Sequence, residues 1–258
     1  MSKEKGARGC VKEIDPARLA RLNAGEVEAA TLTECLAVDF TALMSNILPE
    51  IGTDALADME LGAATGISKR MSLAARLIRK NLGDTVVDRL GRHPSDTVRG
   101  WACFMIGAAE MPLPDRLAAI RPYADDLHFG VREWSWLAVR PHLARDLEST
   151  IAVLTKWTAA SSERVRRFAS EAIRPRGVWC AHITALKEQP WAALSVLEPL
   201  RADPSAYVQN SVGNWLNDAG KDQPDWVQAL CARWSTESPA GATAHICKRA
   251  LRSINPDL

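Results

Sequence analysis

One short phrase recurs along the chain at nearly constant spacing. Val98-Arg99-Gly100-Trp101-Ala102 is followed 33 residues on by Val131-Arg132-Glu133-Trp134-Ser135, and 34 further on by Val165-Arg166-Arg167-Phe168-Ala169; a weaker echo stands at Val208-Gln209-Asn210-Ser211-Val212. A repeat of this length is one supersecondary unit, too small to bury its own apolar face, so successive units must stack. The period predicts an all-α array of antiparallel helix pairs, a curved solenoid whose inner face is the natural place for a binding site.

The punctuation agrees. Asp15-Pro16 has the side-chain acceptor and the preset φ of a helix start. Leu32, Leu36, Phe40, Leu43, Met44 and Ile47 recur at three- and four-residue steps from Thr31 to Leu48, which predicts one buried helical stripe stopped by Pro49. Further breaks are expected at Pro94-Ser95-Asp96, Met111–Pro114, Gly130, Pro141, Ser161-Ser162, Arg174–Gly177, Pro190, Asp203-Pro204, Pro224 and Pro239. No alternating-strand segment stands out. The reading is a loose segment 1–14 followed by a single repeat domain over 15–258.

Composition narrows the function classes. Cys10, Cys35, Cys103, Cys180, Cys231 and Cys247 are scattered with no Cys-x-x-Cys, so neither a disulfide framework nor a thiolate zinc site is signalled. Cys180-Ala-His182 lacks further ligands at metal spacing, and His128, His142 and His245 are isolated; no metal is expected. With no glycine-rich phosphate loop, no cofactor is expected either. The polar start and the absence of any membrane-length apolar run point to a cytoplasmic protein with no membrane partner. A formal net charge of +1 hides an uneven distribution. Residues 66–101 hold Lys69, Arg70, Arg76, Arg79, Lys80, Arg89, Arg92 and Arg99 against only Asp84, Asp88 and Asp96, a surface able to hold phosphates or simply a solvated face.

Helical geometry sorts the faces. In the helix near 129–140, Val131, Trp134 and Ala138 fall on one side, read as core, and Glu133, Trp136 and Arg140 on the other. In the next marked helix Arg167, Ser170, Glu171 and Arg174 lie opposite Val165, Phe168, Ala169 and Ala172. In the helix near 205–219, Asn210, Asn214, Asn217 and Asp218 share the polar half while Trp215 lies on the apolar stripe. The plain alternative is that Arg167 and Glu171 are a solvated i,i+4 pair worth about 0.3–0.5 kcal/mol. A tryptophan on the polar face, Trp136, goes against it. Arg174-Pro175-Arg176-Gly177-Val178-Trp179 is read as ending one helix and opening the next, with two guanidiniums and an aromatic plane suited to a nucleic-acid backbone. The alternative there is an inter-repeat turn with Trp179 packed in the core.

Together, Val131-Arg-Glu-Trp-Ser-Trp, Arg166-Arg-Phe-Ala-Ser-Glu171, Arg174-Pro-Arg-Gly-Val-Trp179, Tyr207-Val-Gln-Asn-Ser-Val and Asn214-Trp-Leu-Asn-Asp218 resemble the AlkC branch of the AlkC/AlkD superfamily, the HEAT-like-repeat DNA glycosylases of alkylation repair. The resemblance implies a right-handed α-solenoid with a concave DNA-binding groove. It also implies excision of cationic N-alkylated bases such as 3-methyladenine and 3-methylcytosine from double-stranded DNA, without full extrusion of the base. Glu171 and Asp218 are then the first catalytic candidates and Glu133 the third. Trp179 would contact the lesion nucleotide; Arg132, Arg140, Arg166, Arg167, Arg174 and Arg176 would hold phosphates, with Trp136, Asn214 and Trp215 as further groove candidates. A monomer is expected, and some relatives carry a C-terminal immunoglobulin-like domain for which this sequence shows no counterpart.

The chemistry is consistent with that implication. An N-alkylated base is already cationic and leaves without being protonated, so the help needed is negative charge beside the sugar as the oxocarbenium ion develops. A non-catalytic DNA-damage binder and a protein-binding scaffold are the two other classes open to a repeat array.

Overall fold

The structure, a computed structural model, describes residues 14–254. The segment read as loose thus lies, but for Ile14, outside the described residues. Among the described residues every regular element is helical. They gather into two compact units, one of residues up to 111 with 126–138 and one of residues 112–125 with those from 139 onward.

The first unit holds α1 (Pro16–Asn23), α2 (Leu32–Ala37), α3 (Phe40–Ile47), α4 (Thr53–Leu61), α5 (Ile67–Leu82), α6 (Val87–Gly91) and α7 (Asp96–Ala108). The second begins with α8 (Leu113–Ala124); α9 (Phe129–Arg145) gives its first turns to the first unit and the rest to the second. The second unit continues through α10 (Leu147–Trp157), α11 (Glu163–Glu171), α12 (Thr184–Glu188), α13 (Leu194–Leu197), α14 (Ala206–Gly220), α15 (Pro224–Glu237) and α16 (Gly241–Leu251).

Helix starts follow local chemistry. Asp15 caps α1 by accepting from the Arg18 N–H at 3.1 Å, with Pro16 at the first helical position. The stripe from Thr31 to Leu48 is not one helix but two. Asp39 accepts from the N–H groups of Thr41 and Ala42, at 2.9 and 3.0 Å, so it caps a new helix. The buried stripe holds in the second helix, at Phe40, Leu43 and Met44, but not in the first, where Leu32 is exposed and Cys35 is the buried residue. Pro141, read as a break, lies inside α9; Trp134, Val139 and Leu143, buried on either side of it, hold the helix through the missing hydrogen bond.

The recurring phrase has a common structural meaning. Its first residue, Val98, Val131, Val165 or Val208, is buried in every copy. In the first unit, Arg99 Nη1 donates to the carbonyls of His93 and Pro94, both at 2.8 Å, and Arg132 Nη1 to those of Asp126 and Leu127, both at 2.8 Å. In the second unit, Arg166 Nη1 donates to the carbonyls of Ala160 and Ser161 at 3.0 and 2.9 Å, and Gln209 Nε2 to that of Asp203 at 2.8 Å. The polar residue after the valine therefore satisfies the carbonyls of the loop that enters its own helix, which water would otherwise have to solvate. Arg99 also pairs with Asp126 and Arg166 with Asp203, at 3.0 and 2.7 Å, tying each loop to the next within its unit.

The fourth residue of the phrase fills the core: Trp101 and Trp134 in the first unit and Phe168 in the second are buried. Each such ring removes about 150–250 Å² from water, roughly 4–6 kcal/mol before entropy costs. Phe40 meets Trp101 edge-on with centroids 5.7 Å apart. In the fourth copy this place belongs to Ser211.

Candidate functional site

Helix α11 is short, capped by Ser162, which accepts from the Arg164 N–H at 3.2 Å. Val165, Phe168 and Ala169 supply its apolar face, as the spacing predicts. Its polar half is buried as well, because α14 packs across it. Ser170 is fully enclosed and Glu171 is only 4% exposed. The Arg167–Glu171 pair exists, at 3.5 Å, but it is not a solvated surface pair.

Every oxygen of Glu171 is engaged. Oε1 accepts from Arg174 Nη1 at 2.8 Å, and Oε2 accepts from Ser211 Oγ at 2.7 Å. Ser211 lies 2.8 Å from Ser170 Oγ, which extends the buried chain. Asp218, also 4% exposed, is held by the same guanidinium: its Oδ2 accepts from Arg174 Nε at 2.9 Å and Nη2 at 2.7 Å. Its Oδ1 has a looser partner, Lys221 Nζ at 3.4 Å. One arginine thus bridges two buried carboxylates, using the fork that lysine lacks. Burial by itself pushes the Glu171 carboxyl up, but the charges of Arg167 and Arg174 and the bonds from Arg174 and Ser211 outweigh it and hold it below its ordinary value. Burial opposes the charge on Arg174, and the two carboxylates more than restore it.

After Glu171 the chain leaves the helix and does not re-enter one at Trp179; α12 begins at Thr184. The intervening stretch is pinned from inside the unit. Arg140 donates through Nη1 to the Ala172 carbonyl at 2.8 Å and through Nη2 to that of Arg174 at 2.6 Å, and both Nε and Nη2 reach that of Ala181 at 3.3 Å. Trp215 Nε1 donates to the Ile173 carbonyl at 3.0 Å. The Ile183 N–H closes the stretch on the Pro175 carbonyl at 3.0 Å. On this pinned segment Trp179 adopts φ 60° and is 47% exposed. A bulky residue in the left-handed region costs about 1–2 kcal/mol, and such strain collects at functional sites. The core-packing alternative for Trp179 is therefore set aside.

Other sequence-derived candidates are placed as follows. Arg140, assigned to the polar face, is 2% exposed and holds carbonyls, so it supports the Trp179 segment from beneath. Arg166 and Arg132 serve the loops described above rather than projecting as free charges. Arg176 pairs with Asp222 at 2.8 Å. Arg167 lies over the Tyr207 ring, 4.9 Å from its centroid. Asn214 accepts from Arg249 Nε at 2.9 Å, and Trp215 is core. Glu133 and Trp136 belong to the first unit. There Trp136, expected on an exposed face, is 3% exposed and donates its indole N–H to Glu133 Oε2 at 2.8 Å. A buried indole N–H usually finds an acceptor, and Glu133 supplies one here.

Ser211 and Ser170 are not among the site residues expected from the sequence. The signal for Ser211 was present: a serine where the repeat otherwise places an aromatic ring. Arg140 and Arg174 likewise occupy equivalent places, each nine residues after the phrase valine.

Residues 130–249 match a family model described as DNA alkylation repair enzyme. An uncharacterized protein, YhaZ of Bacillus subtilis, is 42% identical over 120 residues, 46% of this chain and 33% of that protein. The chain therefore spans about a third of that curated relative. Among solved structures, Pseudomonas fluorescens alkylpurine DNA glycosylase AlkC bound to DNA containing an abasic site analog superposes with a TM-score of 0.67 at 28% identity, over 83% of this chain and 60% of that one. AlkD2 from Streptococcus mutans superposes with a TM-score of 0.61 at 23% identity, over 77% of this chain and 96% of that one, a likeness of fold alone.

Proposed function

From the match of residues 130–249 to the DNA alkylation repair enzyme family and the likeness to AlkC, we propose that this chain belongs to the AlkC/AlkD-type alkylation-repair superfamily and is a DNA glycosylase. In this reading it hydrolyses the N-glycosidic bond of cationic N-alkylated bases in duplex DNA, 3-methyladenine and 3-methylcytosine among them. The observation that carries the reading is the buried Glu171–Arg174–Asp218 bridge, followed after five residues by the strained, exposed Trp179.

The two carboxylates have different parts. Both oxygens of Glu171 are taken up by Arg174, Ser211 and Arg167, so its work is to fix Arg174. Asp218 keeps Oδ1, held loosely by the half-exposed Lys221 at 3.4 Å, for the sugar. As the bond to the base lengthens, positive charge shifts from the departing base to the anomeric carbon and ring oxygen. A carboxylate at about 4 Å and an effective dielectric near 20 contributes roughly 4 kcal/mol there, and the guanidinium on Oδ2 offsets part of it. If half that survives only in the transition state, the rate gains about thirtyfold. The cationic base departs neutral as the bond breaks, and Asp218 accepts the proton lost by the water that then attacks the sugar.

Selectivity follows from the leaving group. A normal base would depart as an anion and needs protonation, whereas the buried groups here are carboxylates paired with an arginine. Trp179 offers a flat face to the lesion nucleotide, and its strained backbone is a cost that contact with DNA offsets.

The test is release of free base from methylated duplex DNA, with wild type beside Asp218→Asn. Release by wild type and a loss of at least tenfold in the variant, with duplex affinity retained, supports the reading. Full activity in Asp218→Asn overturns the assignment of Asp218, and duplex binding without release by wild type overturns the enzyme.

A further inference from the structure

Helix α5 in the first unit contains five cations, Lys69, Arg70, Arg76, Arg79 and Lys80, and no carboxylate. Two of them are built into the fold. Arg70 donates to the carbonyls of Leu36 and Val38, at 3.0 and 3.2 Å, and Arg79 pairs with Asp84 at 2.6 Å and donates to the Ala108 carbonyl. Lys69, Arg76 and Lys80 are exposed and meet no carboxylate at ion-pair distance among the described residues.

These three are not scattered. At 100° per residue, Lys69, Ser72, Arg76 and Lys80 fall within one narrow stripe, with the cations spread along about 16 Å of helix. An open depression of about 410 Å³ lies along the stripe, lined by Lys69, Ser72 and Arg76 together with Gly62, Thr65 and Ser68. Leu73 completes the lining, which carries two cations, three hydroxyls and no carboxylate. Elsewhere in the unit two exposed arginines have acidic partners: Arg21 has Glu26 and Arg89 has Glu50. Like charges left side by side repel one another, and a polyanion would remove that cost.

We propose that the Lys69–Ser72–Arg76–Lys80 stripe of α5 binds the phosphate backbone of duplex DNA, as a contact separate from the residues assigned to the lesion. The proposal rests on the reading of the chain as a DNA-acting enzyme. The span suits it: about 16 Å of helix matches roughly five nucleotides of one strand at 3.4 Å of axis each. The contact carries no sequence information. It supplies salt-dependent affinity, and the arginines near Glu171, most of them committed to internal partners, supply less of it than their number suggests.

The test uses the full chain and an undamaged fluorescent duplex, with affinity measured across a series of salt concentrations. Lys69→Gln, Arg76→Gln and Lys80→Gln are combined in one variant. A matched variant combines Arg21→Gln, Arg89→Gln and Arg233→Gln, which changes net charge equally but at cations already ion-paired. The stripe variant is expected to lower the slope of log affinity against log salt by about two to three and to weaken low-salt binding at least tenfold. The matched variant is expected to change the slope by less than one. An unchanged slope in the stripe variant, or equal effects of both variants, overturns the proposal. Base release by wild type, assayed in the same samples, separates the two readings. Release with an unchanged slope removes only the stripe; a reduced slope without release removes the glycosylase and leaves the stripe.

Discussion

Ser211 Oγ donates to Glu171 Oε2 across 2.7 Å, from the position in the repeat that Trp101, Trp134 and Phe168 fill with an aromatic ring. An array built to bury rings gives up one ring to hold a carboxylate. Trp215, four residues further along α14, is fully buried. Ser211→Ala removes a bond to a charged group and is expected to cost about 1.5–3 kcal/mol in urea unfolding. Ser211→Thr, which keeps the hydroxyl, should recover most of it. Equal stability of Ser211→Ala and wild type would show that Glu171 does not depend on this bond.

Among the described residues, Arg174 is the only group that touches both Glu171 and Asp218 through short bonds. Arg174→Met leaves two buried carboxylates without their shared cation and is expected to lower stability by about 3–5 kcal/mol. Arg174→Lys should retain only part of that, because one ammonium cannot serve two carboxylates as a fork does. Denaturant midpoints of the two variants decide it; a lysine variant as stable as wild type rules out the bridge.

The pH dependence has a definite sign. The Glu171 carboxyl lies below its ordinary value in the folded chain, with burial opposing and Arg167 and Arg174 prevailing. A depressed carboxyl stabilises the fold fully above its unfolded value, and this contribution is lost as pH falls through the folded value. Wild type should therefore lose stability on acidification below the ordinary glutamate range more steeply than Glu171→Gln. Parallel stability curves for the two would contradict the pairing.

Trp179 separates strain from contact. Trp179→Gly removes the left-handed penalty and should leave stability unchanged or raise it by up to about 1 kcal/mol. The same variant should release alkylated base at least tenfold more slowly. A variant that is both less stable and equally active would show the indole to be structural.

In the first unit, a Cβ on Gly107 of α7 would run into the backbone carbonyl of Ala138 on α9. Backbone cannot yield as a side chain can, so Gly107→Ala is expected to cost about 1–3 kcal/mol in thermal or urea unfolding. A neutral result would mean that the two helices are not this close.

Much of this was open to reading in the linear order of residues. The spacing of valine, cation and aromatic residue declared helical repeats, because each unit repeats the same burial problem and solves it with the same side chains. Asp15-Pro16 declared a helix start for a reason confined to four residues. The blocks around Glu171 and Asp218 made the two carboxylates candidates. Less legible were the faces. At 100° per residue Glu171, Trp136 and Arg140 fall opposite the apolar stripe, yet all are buried.

Periodicity reports which residues share a side of a helix, since that depends only on local geometry. It cannot report what packs against the other side, which is set by residues far along the chain. The order of residues thus determined the repeat and the all-helical class. Only the tertiary structure decided that Arg174 would bridge Glu171 and Asp218 across 44 residues, that Ser211 would reach Glu171 across 40, and that Arg140 would be spent on carbonyls beneath Trp179. Low-dielectric burial makes each such partnership obligatory, and burial is a property of the packed chain.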